Sequence, residues 1–264
     1  MHRPLRIMLG GAALAALAAC AHETGSPTAT PDDTDLLTAT AIDPSLGAEA
    51  GQASLPGLTL DRTSTYQGSL AGSDQCTYSA PLGRLVCPPV TRNGLTIARS
   101  IAFYDADGTP QSHRDLTTRS VNTQVAVKGT VTTERATLAI DRASSLTVSG
   151  LGRGATTHTL NGEETGTSDG TFTAAAGTLT WHESFTVATK NVVVPAEVRN
   201  GWPLSGTTTR TATTTLTRGA ATRTSTSSEQ VTYTGTSVVN VTITRDGVTR
   251  TCTRDLATRP GSCS

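Results

Sequence analysis

The sequence predicts an all-β protein, built as an antiparallel meander of long hairpins, and three observations support this. Threonine accounts for 52 of the 264 residues, and its branched Cβ atom suits a strand better than a helix. Apolar and polar residues alternate over several stretches, whereas the chain after residue 20 has no comparable stretch of helical period. Turn-forming dipeptides separate these stretches at short intervals, and short connections cannot form parallel crossovers. We therefore expect a curled sheet, a half-barrel, a barrel or a sandwich.

Four stretches show the alternation most clearly, and each presents one apolar face. These faces contain Leu95, Ile97, Ile101 and Phe103; Val121, Val125 and Val127; Leu179, Trp181, Phe185 and Val187; and Val239, Val241 and Ile243. Tight turns are predicted at Asp107-Gly108, Asn161-Gly162, Asn200-Gly201 and Asp246-Gly247, because these residue types adopt the positive φ angles that hairpins require.

The stretch from Thr207 to Ser228 is less regular, because threonine occupies both faces of any strand that it forms. One interpretation is a hairpin that turns at Gly219, with a register that burial specifies only weakly. A disordered, glycan-bearing stalk is the alternative for such a composition. The strand patterns on either side favour the sheet.

The amino-terminal stretch has the layout of a secretory signal peptide, with basic residues followed by a short apolar run and then small residues. The apolar run is too short to span a bilayer. It ends in Leu17-Ala18-Ala19-Cys20, which resembles the lipobox of bacterial lipoproteins. The resemblance covers only about the first twenty residues. It implies cleavage before Cys20 and acylation of that residue, which would anchor the chain in a membrane. The alternative is an ordinary cysteine in a cleaved secretory peptide.

The lipobox and the composition of the chain after it predict three segments. Residues 1–19 are the signal peptide, residues 20–65 are the lipidated cysteine with a flexible linker, and residues 66–264 are the β domain. The linker is rich in proline, glycine and small polar residues, and it contains seven acidic residues against Arg62 alone, so we expect it to be disordered. Ala21 stands where an aspartate commonly marks inner-membrane retention in such lipoproteins, so export to the outer membrane is permitted, and we expect that membrane rather than the inner one if the envelope has two.

Four cysteines remain after Cys20, as two pairs that each have ten residues in between. Export to an oxidising compartment favours disulfides, and the turn residues between the members of each pair favour local pairing. The spacing does not suit a zinc site, which is the alternative. The predicted disulfides therefore join Cys76 with Cys87 and Cys252 with Cys263.

Two charged side chains interrupt the apolar faces. Arg99 shares the face of Ile97 and Ile101, and Glu183 shares the face of Trp181 and Phe185. Because a lone buried charge is costly, one hypothesis is that Arg99 and Glu183 form an ion pair in the interior. The alternative is a bulge or a sheet end that lets each side chain reach water. Polar groups that line a ligand cavity are a third interpretation.

Several other polar residues are of types that can bind metals or take part in catalysis. His158 and His182, together with Glu163, Glu164 and Asp169, offer metal-ligating groups, but nothing in the sequence fixes their geometry, and we predict no metal and no cofactor. Asp105 and Asp107 resemble the start of a calcium loop, but a later acidic ligand is missing, so a hairpin turn is the better interpretation. The sequence contains no recognisable catalytic motif.

These observations predict a membrane-anchored, extracytoplasmic, non-enzymatic protein whose β domain is a structural or adhesive module. Its expected partners are membrane lipid, through the acylated cysteine, and a cell-envelope protein or polysaccharide. Nucleic acid is not expected, because the arginines are not interleaved with stacking aromatic residues. The alternative function is a carrier or sensor that holds a lipid or another apolar ligand in the concave face of the sheet. Such a carrier needs a pocket lined by residues such as Trp181, Phe185 and Val241.

Overall fold

A computed structural model of the chain describes residues 76–174, 177–196, 201–257 and 261–263. Within these residues the chain forms fourteen β-strands and one short 3-10 turn, and it contains no α-helix. The all-β prediction is therefore confirmed. The predicted signal peptide, the predicted lipidation site Cys20 and the predicted linker lie outside the described residues. None of the described residues forms a helix that could span a bilayer.

The strands are longest in the middle of the chain. Their bounds are β1 Thr77–Ser79, β2 Arg84–Val86, β3 Val90–Arg92, β4 Leu95–Tyr104, β5 Pro110–Gln111, β6 Ser120–Thr132, β7 Ala136–Ser149, β8 Thr157–Ala174, β9 Gly177–Pro195, β10 Ser205–Arg218, β11 Ala221–Thr232, β12 Val238–Arg245, β13 Val248–Asp255 and β14 Gly261–Cys263.

All fourteen strands belong to one antiparallel sheet. Its order is β1-β2-β4-β6-β7-β8-β9-β10-β11-β12-β13-β14. The short strands β3 and β5 are not part of this order, and each of them pairs with β4. Nearly every strand is thus followed by its spatial neighbour, as the short connections predict. Because β1 and β14 lie at opposite ends of the order, the sheet is open. Of the predicted alternatives, the structure is an open sheet rather than a closed barrel or a two-sheet sandwich.

The two faces of the sheet differ sharply in polarity. We call the face with the buried apolar residues the inner face and the opposite one the outer face. All four apolar sets predicted from the alternation lie on the inner face, because the strand registers bring them to the same side. The buried apolar residues include two packed clusters. The larger one contains Val192, Val194, Tyr233, Val239, Val241 and Cys252, and the smaller one contains Ile101, Phe103 and Val121.

Both clusters lie at the same end of the sheet, which we call the core end. There β4, β7 and β9 terminate, and β6, β8 and β10 begin. At the opposite end, the tip end, the hairpin connections follow β6, β8 and β10. The inner face therefore changes along the long strands, from a closed apolar core to half-buried side chains near the tips.

Both predicted disulfides are present and join the predicted partners, Cys76 with Cys87 and Cys252 with Cys263. They lie at opposite edges of the sheet. Each fastens an edge strand of only three residues, β1 or β14, which has few ladder hydrogen bonds of its own. The disulfides thus stabilise the two short edges that end the meander.

Removing the carboxy-terminal disulfide should destabilise the fold measurably. The double variant Cys252→Ala/Cys263→Ala should lose about 3 kcal/mol of unfolding free energy, because the cross-link closes a short loop in the unfolded chain. Urea unfolding followed by circular dichroism measures this loss. An unchanged midpoint would show that the link contributes nothing to stability.

The buried Tyr233 predicts a loss of stability at alkaline pH. Burial raises the pKa of its phenol, and the hydrogen bond shared between the phenol oxygen and Thr208 Oγ1, at 3.3 Å, partly opposes this. The native state therefore holds this proton more tightly than the unfolded state. The resulting stabilisation is complete below the unfolded pKa of about 10 and is lost as the pH rises through the folded pKa. A phenolate absorbance titration should show one tyrosine that ionises above the usual range, and Tyr233→Phe should remove that step.

One predicted turn is wrong. Asn161-Gly162 lies inside β8, where the register against β9 shifts between Leu160 and Gly162. The side-chain oxygen of Asn161 accepts a hydrogen bond from the backbone N–H of Asn191, at 2.8 Å, and Asn191 has a φ of 49°. The dipeptide therefore marks a β-bulge, which calls for the same residue types as a turn.

The other predicted turns that fall on described residues are confirmed. Gly108, Gly219 and the pair Asp246-Gly247 lie in hairpin connections with positive φ angles. The stretch from Thr207 to Ser228 is ordered sheet, with an uninterrupted register between β10 and β11. The predicted turn at Asn200-Gly201 includes a residue outside the described ones.

Candidate functional site: a hydroxyl-lined groove on the outer face

A groove of about 420 Å³ crosses the outer face of β7, β8, β9 and β10. This volume is within the range of about 300 to 1,000 Å³ that is usual for small-molecule sites. The groove is wide and open. Its lining residues are Thr137, Ala139, Asp169, Gly170, Thr171, Thr180, Trp181, His182, Thr215 and Thr217.

The strand registers arrange eight of these side chains in two rows that run across the strands. One row is Ala139, Asp169, His182 and Thr215, and the other is Thr137, Thr171, Thr180 and Thr217. Each row takes one residue from each strand, so neighbours within a row are about 4.8 Å apart, and the rows are about 7 Å apart along the strands. The groove therefore forms only because the strand registers bring residues of four different strands together.

The centre of the groove is a hydrogen-bonded Asp169–His182 pair. Nδ1 of His182 lies 2.7 Å from Oδ1 of Asp169, and because an ionised carboxylate can only accept, Nδ1 carries the proton. The two side chains are 53% and 60% exposed, so the pair adds little to stability. Nε2 of the ring and Oδ2 of the carboxylate remain available to a ligand.

The row Asp169–His182–Thr215 places a carboxylate, an imidazole and a hydroxyl in the order of a nucleophilic triad. The hydroxyl of Thr215, however, shares its hydrogen bond with Thr224, at 3.0 Å. The arrangement therefore suits hydrogen bonding to a ligand better than activation of a nucleophile.

The five residues predicted as possible metal ligands do not assemble. His182 and Asp169 meet in the groove, whereas Glu164 is buried on the inner face. Glu163 is exposed on the outer face, and Nδ1 of His158 donates to the carbonyl of Gly150 at 3.0 Å. Among the described residues, no group of three histidine, cysteine, aspartate or glutamate side chains could hold a metal ion.

Asp105 and Asp107, which resemble the start of a calcium loop, form a hairpin turn, as predicted. Oδ1 of Asp105 accepts hydrogen bonds from the backbone N–H groups of Asp107 and Thr109, both at 2.9 Å. This carboxylate oxygen is thus used to hold the hairpin between β4 and β5.

On the inner face, Glu183 has an arginine partner, but the partner is Arg210. The sequence hypothesis instead predicts Arg99 as this partner. Arg99 lies on β4, and three strands separate β4 from β9, whereas Arg210 lies on β10, directly beside β9. Glu183 is only 5% exposed, so the pair lies at the boundary of the buried region. The sequence reasoning missed Arg210 because the two faces of β10 differ little in hydrophobicity.

Two aromatic side chains of β9 lie over glycines of β8, a feature that the sequence reasoning also missed. A Cβ atom on Gly170 would lie 2.0 Å from Cζ2 of Trp181, and one on Gly166 would lie 2.8 Å from Cζ of Phe185. The signal was present in the sequence, because glycine occurs at every fourth residue from Gly162 to Gly170 and the two aromatics are also four residues apart.

Phe185 is also enclosed by cations. The guanidinium carbons of Arg142 and Arg210 lie 4.9 Å and 5.2 Å from its ring centroid. Together with Glu183, these groups form a charged layer on the inner face, between the core end and Trp181.

Comparison with protein-family models, with characterised proteins and with solved structures finds no match to this chain.

Proposed function

We infer that the protein is a lipid-anchored component of the cell envelope whose β domain is a non-enzymatic adhesive module and binds through its outer face. The membrane anchor is Cys20, on the strength of the lipobox that precedes it. Anchored in this way, the domain would present its outer face to other components of the envelope.

The observation that carries the proposal is the hydroxyl-rich character of the outer face. All six outer positions of β10 are threonines, from Thr207 to Thr217, and each is at least partly exposed. Their neighbours on β9 and β11 include further threonines, and hydroxyls pair across the strands, as in Thr186–Thr211 at 2.6 Å and Thr217–Thr222 at 3.1 Å. Such a face offers many hydrogen-bonding groups without an apolar patch, so it suits reversible attachment to polar polymers.

The second candidate, a carrier of an apolar ligand, receives less support. The three side chains that would line its cavity already make other contacts. Val241 has no exposed surface in the larger core cluster, Phe185 lies between two arginines, and Trp181 covers Gly170. Buried charge beside Phe185 would make the middle of the inner face a poor surface for an acyl chain.

The anchor can be tested by mass spectrometry of the mature protein. We expect an amino-terminal Cys20 that carries acyl groups, and we expect Cys20→Ala to release the protein from membranes. Recovery of an unmodified mature protein that begins at another residue would contradict the anchor.

The adhesive role can be tested by co-sedimentation of the full-length protein with insoluble envelope polymers. The variant Thr209→Arg/Thr211→Arg, which puts two bulky charges in the middle of the outer face, should reduce binding by about tenfold or more. The matched control is Thr91→Arg, an exposed threonine of the same face on the edge strand β3, which β4 and four further strands separate from β10. Equal binding by both variants and the unmodified protein would contradict a role for this face.

A further inference from the structure

The groove on the outer face has the chemistry of a carbohydrate site. Five threonine hydroxyls line it, and each can both donate and accept a hydrogen bond. Its described lining includes no lysine or arginine, so nothing there would neutralise a phosphate or carboxylate ligand, and Asp169 would repel one. A neutral polyhydroxylated ligand, which offers donors and acceptors side by side, matches this lining.

The geometry of the two rows suits an extended chain rather than a compact ligand. The rows continue onto β11, where Thr224 pairs with Thr215 at 3.0 Å and Thr222 pairs with Thr217 at 3.1 Å. A ligand that runs across the strands would meet new side chains about every 4.8 Å. This spacing is comparable to the length of one hexose residue in a polysaccharide.

The Asp169–His182 pair would serve as the anchor of such a site. It lies in the middle of its row, and its exposed position gives it little value for folding. A carboxylate that accepts from sugar hydroxyls forms charge-assisted hydrogen bonds, which are stronger than those of the surrounding threonines.

We propose that this groove binds a stretch of a neutral polysaccharide, with the glycan chain running across β7 to β10 and the Asp169–His182 pair bonded to the hydroxyls of its central residue. The proposal rests on the adhesive function inferred above. It specifies the chemical class of the partner, a neutral polysaccharide, and the site that binds it, the groove.

Titration calorimetry of the full-length protein in detergent tests the proposal. The probes are four neutral oligosaccharides, namely cellopentaose, maltopentaose, laminaripentaose and chitopentaose, with an anionic oligogalacturonate for comparison. At least one neutral probe should bind, and the anionic one should not. Asp169→Asn should weaken binding about tenfold, the loss expected for a hydrogen bond to a charged group, and Thr180→Val should weaken it about threefold.

The matched control is Thr249→Val, an exposed threonine of β13 that lies outside the groove. It should bind like the unmodified protein, and unchanged thermal melting of all three variants would show that they fold. Failure of every neutral probe, preference for the anionic probe, or normal binding by Asp169→Asn would overturn the proposal. If the protein still sediments with envelope polymers in any of these cases, the groove proposal fails and the adhesive function stands. Loss of sedimentation as well would remove both.

Discussion

Replacing Arg210 with methionine should lower the free energy of unfolding by about 3 kcal/mol, because it leaves the buried Glu183 carboxylate without its partner. The value is at the lower end of the range for broken buried pairs, since the Arg210 side chain is 44% exposed and water can partly replace it. Arg210→Met also removes a guanidinium from the face of Phe185, which adds to the loss. Urea unfolding measures the effect.

The double variant Arg210→Met/Glu183→Met separates the ion pair from the packing around it. Because apolar residues of similar volume can replace a buried pair at little cost, this variant should recover much of the stability that Arg210→Met loses. The matched control is Arg223→Met on the adjacent strand, whose pair with Asp246 is at 4.0 Å and exposed, and which should cost less than about 0.5 kcal/mol. A double variant no more stable than Arg210→Met would argue against a buried unpaired charge as the cause.

Replacing Gly170 with alanine should cost about 2 to 3 kcal/mol, although alanine normally suits a strand interior better than glycine does. The added methyl group would lie 2.0 Å from Cζ2 of Trp181, so the indole ring must leave its position over β8. We therefore expect a red shift of tryptophan fluorescence together with a lower urea midpoint. The other tryptophan, Trp202, lies far along the chain in the connection before β10 and serves as an internal reference.

Two comparisons make the Gly170 prediction specific. In a Trp181→Ala background the same substitution should cost little, because the clashing ring is absent. Gly152→Ala is the matched control, since its Cβ atom would approach no atom closer than 3.5 Å, the distance to Nε of Arg119. A loss at Gly170 that persists in the Trp181→Ala background would show that the ring is not its source.

The positions of the strands and their apolar faces could be predicted from the sequence, because successive side chains of a strand point to opposite faces and burial of one face leaves a period of two. Ile97, Ile101, Trp181 and Phe185 all lie on the inner face for this reason. The local disulfides were predictable as well, since short segments with turn residues bring their ends together without help from the rest of the fold. The bulge at Asn161 could not be predicted from the sequence, because a bulge and a turn need the same local conformation.

Only the tertiary structure decided which side chains meet across strands. Arg210 pairs with Glu183, Trp181 covers Gly170, and Asp169 contacts His182 through registers between strands that no single stretch encodes. Within a strand the pattern determines the face of each residue but not its neighbour, and a shift of two residues would keep every face while changing every pair. The sequence alone therefore determined an antiparallel β architecture with its two disulfides, whereas the openness of the sheet, the groove and the buried charges follow from the register of the assembled sheet.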